Sequence, residues 1–304
     1  MFIIKHKKIF IGISVLLVVL SVAALLIFGL KVGIDFKGGA LTEVSYTATP
    51  PTQAELESIV KPLNLGSVLI QPTGQTGYII KTRDLTETEH AALLTTLSNN
   101  GKNPLTETSF NSIGPSIGKE LTQKAILAIV LVSLAIICFI AFAFRKVSKP
   151  VSSWRYGIIA IVTLLHDVAI PVGFFTLLSH YRGVEVDTLF VVAVLTVLGL
   201  SVSDTIVIFD RIRENLNHEG SNKSKVNFGE IVGKSLEQSY VRSICTSLTV
   251  ILVLLALFFF GPVSTKYFAL MLVTGMFFGT YSSIFLASPL LVWVEEWQKN
   301  KKVV

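Results

Sequence analysis

The chain has 304 residues, of which 51% are hydrophobic and 15% charged, with a net charge of +6. A mean hydropathy of +0.67 is too apolar for a soluble domain, and the charge is too high for lipid-facing helix alone, which leaves a multi-pass membrane protein with a soluble part. The basic residues cluster beside apolar runs, where topology determinants are placed, so nucleic acid is excluded as a partner; Cys138 and Cys245 lie inside apolar runs, which excludes an external disulfide framework.

A helix that spans lipid needs roughly 17–25 apolar residues. Six runs qualify, at 9–30, 122–144, 156–178, 188–209, 240–260 and 267–293. The first follows the basic Lys5-His6-Lys7-Lys8, as a signal peptide would, but its apolar core is too long and lacks a cleavage site, so it reads as an uncleaved anchor. Basic residues in short loops set the orientation. One side holds Lys5, Lys7 and Lys8; Arg145, Lys146, Lys149 and Arg155; Arg211, Arg213, Lys223, Lys225 and Lys234; and Lys299, Lys301 and Lys302. The short loops of the other side hold Arg182 and Lys266. Both termini are therefore expected in the cytosol and 31–119 outside. The expected division is 1–30 for the terminus and first span, 31–119 for the outer domain, 120–295 for the other spans with a cytosolic loop at 210–239, and 296–304 for a cytosolic tail.

The outer segment reads as a small α+β domain. Residues 41–47 alternate like a strand. Thr52 and Glu55 form a capping box that opens a helix toward Pro62. Residues 67–71 and 77–83 are strands around a turn, and Thr86 with Glu89 opens a second helix that stops at Gly101. Residues 106–113 close with a strand. The order β-α-β-β-α-β is the ferredoxin-like arrangement. No metal-ligand cluster, phosphate loop or nucleophile set is legible, so binding or movement is expected of it rather than chemistry, and no cofactor is expected.

Several polar residues stand where lipid would penalise them. Asp204 lies in LGLSVSDTIVIFDRIREN (198–215), a short way in from the cytosolic end of the fourth span. A charged aspartate at mid-helix costs about 2.5–3.5 kcal/mol on the insertion scale, and such groups usually face the bundle interior, pair, and mark ion or proton paths. Arg242 on the fifth span matches its depth. Gln238, Arg242, Thr246 and Thr249 share one helical stripe, which is expected to point inward. His166 and Asp167 on the third span suit either a buried polar contact or a proton relay. Gly275 and Gly279 form a GxxxG pair, followed by Ser282, Ser283 and Pro289; packing within the chain and contact with a partner subunit are both open. In GIDFKGG, Gly33, Asp35, Gly38 and Gly39 read as a connector or a hinge into the outer domain.

Five segments together resemble the SecF family of bacterial protein-export subunits, over essentially the whole chain: GIDFKGG; LLHDVAI; LGLSVSDTIVIFDRIREN; SLEQSYVRSICTSLTVILVLLALFFFG; and MFFGTYSSIFLASPLLVW. The resemblance implies a six-helix fold similar to half of an RND transporter. It implies SecD as the paired subunit, association with the SecYEG channel, YajC as a frequent companion, and use of the proton-motive force to draw unfolded preprotein across the cytoplasmic membrane. It carries proton transfer to Asp204 and Arg242; the polar residues His166, Asp167, Gln238 and Thr246, read from their positions in the helices, are possible supports. The sequence departs from the family pattern at Ser203, where asparagine is usual, and Ser243, where threonine is usual.

The expected mechanism pairs ionised Asp204 with Arg242 and releases the arginine when the carboxyl takes a proton. The nearest alternative is half of a proton-coupled transporter for a small molecule or lipid. An intramembrane protease built on Asp167 and Asp204 would carry Gly-x-Gly-Asp, whereas this chain reads Ser-Val-Ser-Asp, so no enzyme is expected.

Overall fold

The computed structural model describes residues 2–143, 153–221 and 227–303. Arg145, Lys146, Lys149, Lys223 and Lys225, which entered the orientation argument, lie outside the described residues. The chain divides into two compact units: Met1–Lys31 with Ala128–Val304, and Val32–Leu127. Along the chain the elements are α1 (Phe2–Lys5), α2 (Lys7–Phe28), α3 (Ile34–Lys37), β1 (Gly39–Tyr46), α4 (Gln53–Val60), β2 (Leu69–Thr73), β3 (Gly77–Thr82), α5 (Glu87–Leu97), β4 (Leu105–Ile113), α6 (Pro115–Ala143), α7 (Ser153–Arg182), α8 (Thr188–Ser221), α9 (Phe228–Phe260), α10 (Val263–Ser282) and α11 (Ser288–Val303). Among the described residues six helical stretches are long and apolar enough to cross a membrane. A four-stranded α+β domain lies between the first and second of them, the fold class expected from the sequence.

In the outer unit the sheet order is β2-β3-β1-β4, with every neighbour antiparallel. That order is what a ferredoxin-like β-α-β-β-α-β chain produces. Alternate residues of β1 and β3, among them Val44, Tyr46, Tyr78 and Ile80, meet Leu56 and Val60 of α4 and Leu93 and Leu97 of α5 in one core. Both capping boxes form: the side chains of Thr52 and Thr86 accept from the N–H of Glu55 and Glu89, whose carboxylates accept in return.

Glu89 also holds Arg83, with 2.5 Å between Arg83 Nη2 and Glu89 Oε1. The arginine, then the cap, hold the Glu89 carboxyl down at about 2 from an ordinary 4.5. A depressed acid contributes stability that is present above its unfolded value and lost as pH falls through the folded one. The outer unit should therefore lose stability between pH 4.5 and about 2. Thermal melts of the full chain against its Glu89→Gln variant check this: the variant should show a smaller loss across that window.

In the membrane unit the core belongs to three spans. About half of the apolar window is buried in α7 (56%), α8 (44%) and the last span (50%), against 6% in α2, 6% in α6 and 11% in α9. Small residues allow the close approach. A Cβ on Gly275 of α10 would stand 2.2 Å from Val197 of α8, and one on Gly173 of α7 would stand 2.4 Å from Ser21 of α2. The GxxxG pair thus packs within the chain, Gly279 lying against Ser201.

Two features depart from the expected spans. The segment 210–239 is corrected from a loop to a helical hairpin, with α8 running on to Ser221 and α9 beginning at Phe228. Hydropathy registers only the apolar stretch of a helix; here Ile212, Phe228, Ile231, Val232 and Leu236 are buried by an amphipathic continuation. Asn215 Nδ2 donates to Ser235 Oγ across it at 2.8 Å. The last span is interrupted by a π turn at Ser283–Ala287. Pro289 lies just beyond and has no N–H to give, and Ser288 Oγ donates to the Ser283 carbonyl at 3.3 Å.

Candidate functional site

The buried face of α8 repeats at helical spacing: Val197, Leu198, Ser201, Thr205, Ile208, Phe209 and Ile212. Asp204 lies on the flank of that face and is half-buried. Ser243 of α9 donates to its carboxylate, with Oγ 2.5 Å from each oxygen. Ser283, at the start of the π turn, is a second hydroxyl neighbour of it, its own hydrogen going to the Gly279 carbonyl at 3.0 Å. The Ser283 and Thr205 hydroxyls are 2.8 Å apart. Three helices thus meet at one carboxylate.

Asp167 of α7 is wholly buried. It receives three hydrogen bonds: from His166 Nδ1 at 2.8 Å, from Ser282 Oγ at 2.7 Å, and from Ser201 Oγ. Ser282 and Ser283 are consecutive, so one turn of backbone touches both acids. Among the described residues no group of three His, Cys, Asp or Glu could hold a metal.

The expected Asp204–Arg242 ion pair is not made. Arg242 is exposed on α9, one residue before Ser243 and so about 100° around the helix from it. The inward stripe of α9 is Ser235, Ser239, Ser243 and Ser247, all buried. Thr280 Oγ1 donates to Ser247 at 2.5 Å. The expected stripe of Gln238, Arg242, Thr246 and Thr249 is exposed instead. Gln238, Arg242 and Thr246 recur every four residues, each one position before Ser239, Ser243 and Ser247, and polarity cannot choose between the two rows. Size does, because serines let backbones approach and an arginine does not. Within the exposed row, Gln238 Oε1 accepts from Arg211 Nε at 2.8 Å and from Asn215 Nδ2 at 2.9 Å, and Thr246 Oγ1 donates to the Arg242 carbonyl at 2.8 Å. Sequence reasoning missed Ser201 and Ser282 as ligands of Asp167 and Ser243 as a ligand of Asp204; hydroxyl residues at helical spacing were the available signal.

In the outer unit Gly33 caps α3 and Asp35 lies in its first turn. Gly38 and Gly39 have φ of 81° and 142°. A Cβ on Gly38 would stand 2.8 Å from Pro115 Cα, and one on Gly39 2.8 Å from the Thr82 carbonyl. These two glycines make a tightly packed corner, so close approach and positive φ account for them rather than looseness.

The chain matches two family profiles: "Protein export membrane protein SecD/SecF, C-terminal" over residues 93–297, and "SecD/SecF GG Motif" over residues 23–50. It is 43% identical over 303 residues to the protein translocase subunit SecF of Thermobaculum terrenum, covering 95% of this chain and 92% of the relative. It is 36% identical over 300 residues to that of Anaerolinea thermophila, covering 97% of this chain and 95% of the relative. The crystal structure of SecDF, a translocon-associated membrane protein from Thermus thermophilus, superposes with a TM-score of 0.80 at 29% identity over 97% of this chain. SecDF in its super-membrane-facing form superposes with a TM-score of 0.69, also at 29% identity. The chain spans 38% and 39% of the length of those two solved chains, respectively. With six apolar spans, an α+β domain after the first and the GG corner between them, the chain belongs to the SecF family of SecD/SecF protein-export membrane proteins.

Proposed function

We propose that this chain works in a membrane-embedded Sec complex, where it couples protonation of Asp204 to the outward movement of an unfolded preprotein. As a SecF-family chain it is a transport subunit rather than an enzyme. SecD is its paired subunit, SecYEG the channel they serve, and YajC a companion. The complex lies in the bacterial cytoplasmic membrane with both termini of this chain in the cytosol and 31–119 outside, where that domain holds or releases the client.

The observation that carries the reading is Asp204 itself, half-buried and held by hydroxyls where α8, α9 and α10 meet. A hydroxyl can serve either form of a carboxyl group, donating to the ionised one and accepting from the protonated one. A guanidinium favours only the ionised form. Turning α9 by about 100° would exchange Ser243 for Arg242 against Asp204, which gives two arrangements that differ in proton affinity. A proton favours the hydroxyl-held one, and its loss favours the arginine-held one. That is the element of differential interaction a ligand needs to shift an equilibrium.

The exposed row Arg242, Thr246 and Thr249 supports the pairing with SecD. Polar side chains on an outer membrane face are costly unless another helix covers them. Single cysteines at these positions, with the exposed Cys138 and Cys245 replaced by serine, should crosslink to SecD in membranes. Adducts absent from all three sites, with free labelling by a lipid-soluble maleimide, would contradict the assignment. Depleting the chain should make unprocessed preproteins accumulate; unchanged secretion would favour small-molecule transport instead.

A further inference from the structure

Among the buried polar atoms of the membrane unit that lack a hydrogen-bond partner among the described residues are Nε2 of His166, Oγ of Ser14 and the hydroxyl of Tyr281. A buried polar group left unsatisfied is costly, and helix register together with one ring contact brings these three residues to the same level of the bundle. α2 and α7 run side by side in the same direction. Lys31 N donates to Ser179 Oγ at 3.1 Å, Phe28 rests on His180 with ring centroids 4.4 Å apart, and Ser21 fits against Gly173. Carrying that register about two turns toward the N-terminus sets Ser14 level with His166. From α10, the Tyr281 ring lies parallel to the imidazole, 17° off and 6.2 Å away. Ser14 is 1% exposed and His166 3%.

The other side of the ring is committed, with Nδ1 2.8 Å from Asp167 Oδ1. When Asp167 is ionised, Nδ1 carries the hydrogen and Nε2 presents a lone pair. Around the dyad, α8 contributes Asp204 and α10 contributes Tyr281, whereas α2 contributes only the hydroxyl of Ser14. Glu295 and Glu296 of α11 are paired with Lys299 and Lys7. A site with two to four polar partners suits one water.

We propose that His166, Asp167, Ser14 and Tyr281 hold one water and form a second proton station behind Asp204, a proposal that rests on the reading of Asp204 as the first. A proton carried on the water passes to Nε2. An O–H bond breaks, an N–H bond forms, the water is left neutral, and the imidazolium stays paired with the Asp167 carboxylate. Release reverses these steps. Ser282 on Asp167 and Ser283 on Asp204 give the two stations adjacent backbone attachments at the π turn, through which occupancy of one bears on the other.

The test uses the full complex. His166→Asn keeps a donor where Nδ1 stands and removes the basic nitrogen. It should assemble in normal amount and lower proton-driven export in inverted vesicles by about a hundredfold, the low end of what a positioned proton-transfer group supplies. Infrared difference spectra between acid and neutral pH should contain a titrating imidazole mode. His166→Asn should remove it, Asp204→Asn should keep it, and Ser14→Ala or Tyr281→Phe should shift its midpoint. Normal export by His166→Asn, or no titrating mode that His166→Asn removes, overturns the second station. Normal export by Asp204→Asn overturns the first station instead, and the imidazole mode tells the two failures apart.

Discussion

Asp204→Asn is expected to leave the subunit folded and assembled with its partner, yet to reduce proton-driven export to the level seen without a gradient. The amide has the shape of the carboxyl group, and its oxygen can still accept from Ser243, which lies 2.5 Å away. What disappears is the ability to gain and lose a proton, and with it any reason for α9 to prefer one arrangement over the other. The electrical drive is about 2.3 kcal/mol per charge per 100 mV, enough to bias a two-state bundle by more than tenfold. Asp204→Glu, which retains a titrating carboxyl on a longer stem, should recover part of the activity. Ser243→Ala should weaken export less than Asp204→Asn, since the titrating carboxyl remains and the Ser283 hydroxyl is still nearby. Export of a stalled preprotein from inverted vesicles, with and without protonophore, reads all three.

Gly275→Leu is expected to have a comparably large effect by a different route. Its first side-chain carbon would fall 2.2 Å from one methyl of Val197 and 2.9 Å from the other. Nothing short of separating α8 from α10 relieves that. Overpacking of this kind costs typically about 1–3 kcal/mol, and the separation also pulls Ser282 and Ser283 away from the acids. The variant should melt earlier and be recovered in much lower amount with its partner. Gly12→Leu, where a Cβ would meet nothing within 4 Å, should behave as wild type in the same assays.

The outer domain was legible almost element by element, because its signals are local. Thr52 with Glu55 and Thr86 with Glu89 announce two helix starts, and strand alternation fixes which side chains of β1 and β3 face those helices. The six spans were legible from hydropathy, though not their full lengths. Ile212, Phe228, Ile231 and Leu236 are buried by an amphipathic continuation that no apolar window registers. The site was legible only in part. Asp204, Asp167 and His166 stand out as charge in apolar sequence, and the structure buries the last two completely or nearly so. Which face of α9 turns toward them was not legible, since Gln238, Arg242 and Thr246 share the spacing of Ser239, Ser243 and Ser247 and lie a single residue before them. Interhelical fit decided it: Ser239, Ser243 and Ser247 enter the bundle and Arg242 stays outside. The π turn was equally hidden, being a consequence of where Pro289 falls relative to hydroxyls that bond in three dimensions.

The exposed position of Arg242 gives the pairing with SecD a physical role. Among the described residues of this chain no acid pairs with the exposed arginine, and Asp204 is held by hydroxyl groups. A covering subunit would supply both the partner for the polar row and the force that turns α9. On the proposed reading, two discrete packings of one helix would be enough to register whether Asp204 holds a proton.

The most direct measurement is proton flux. The purified complex, reconstituted in vesicles with a pH-sensitive dye inside, should dissipate an imposed pH gradient when a preprotein is engaged. The Asp204→Asn complex, present in equal amount, should dissipate it no faster than empty vesicles. Equal flux through both complexes would contradict the claim that the proton passes by way of Asp204.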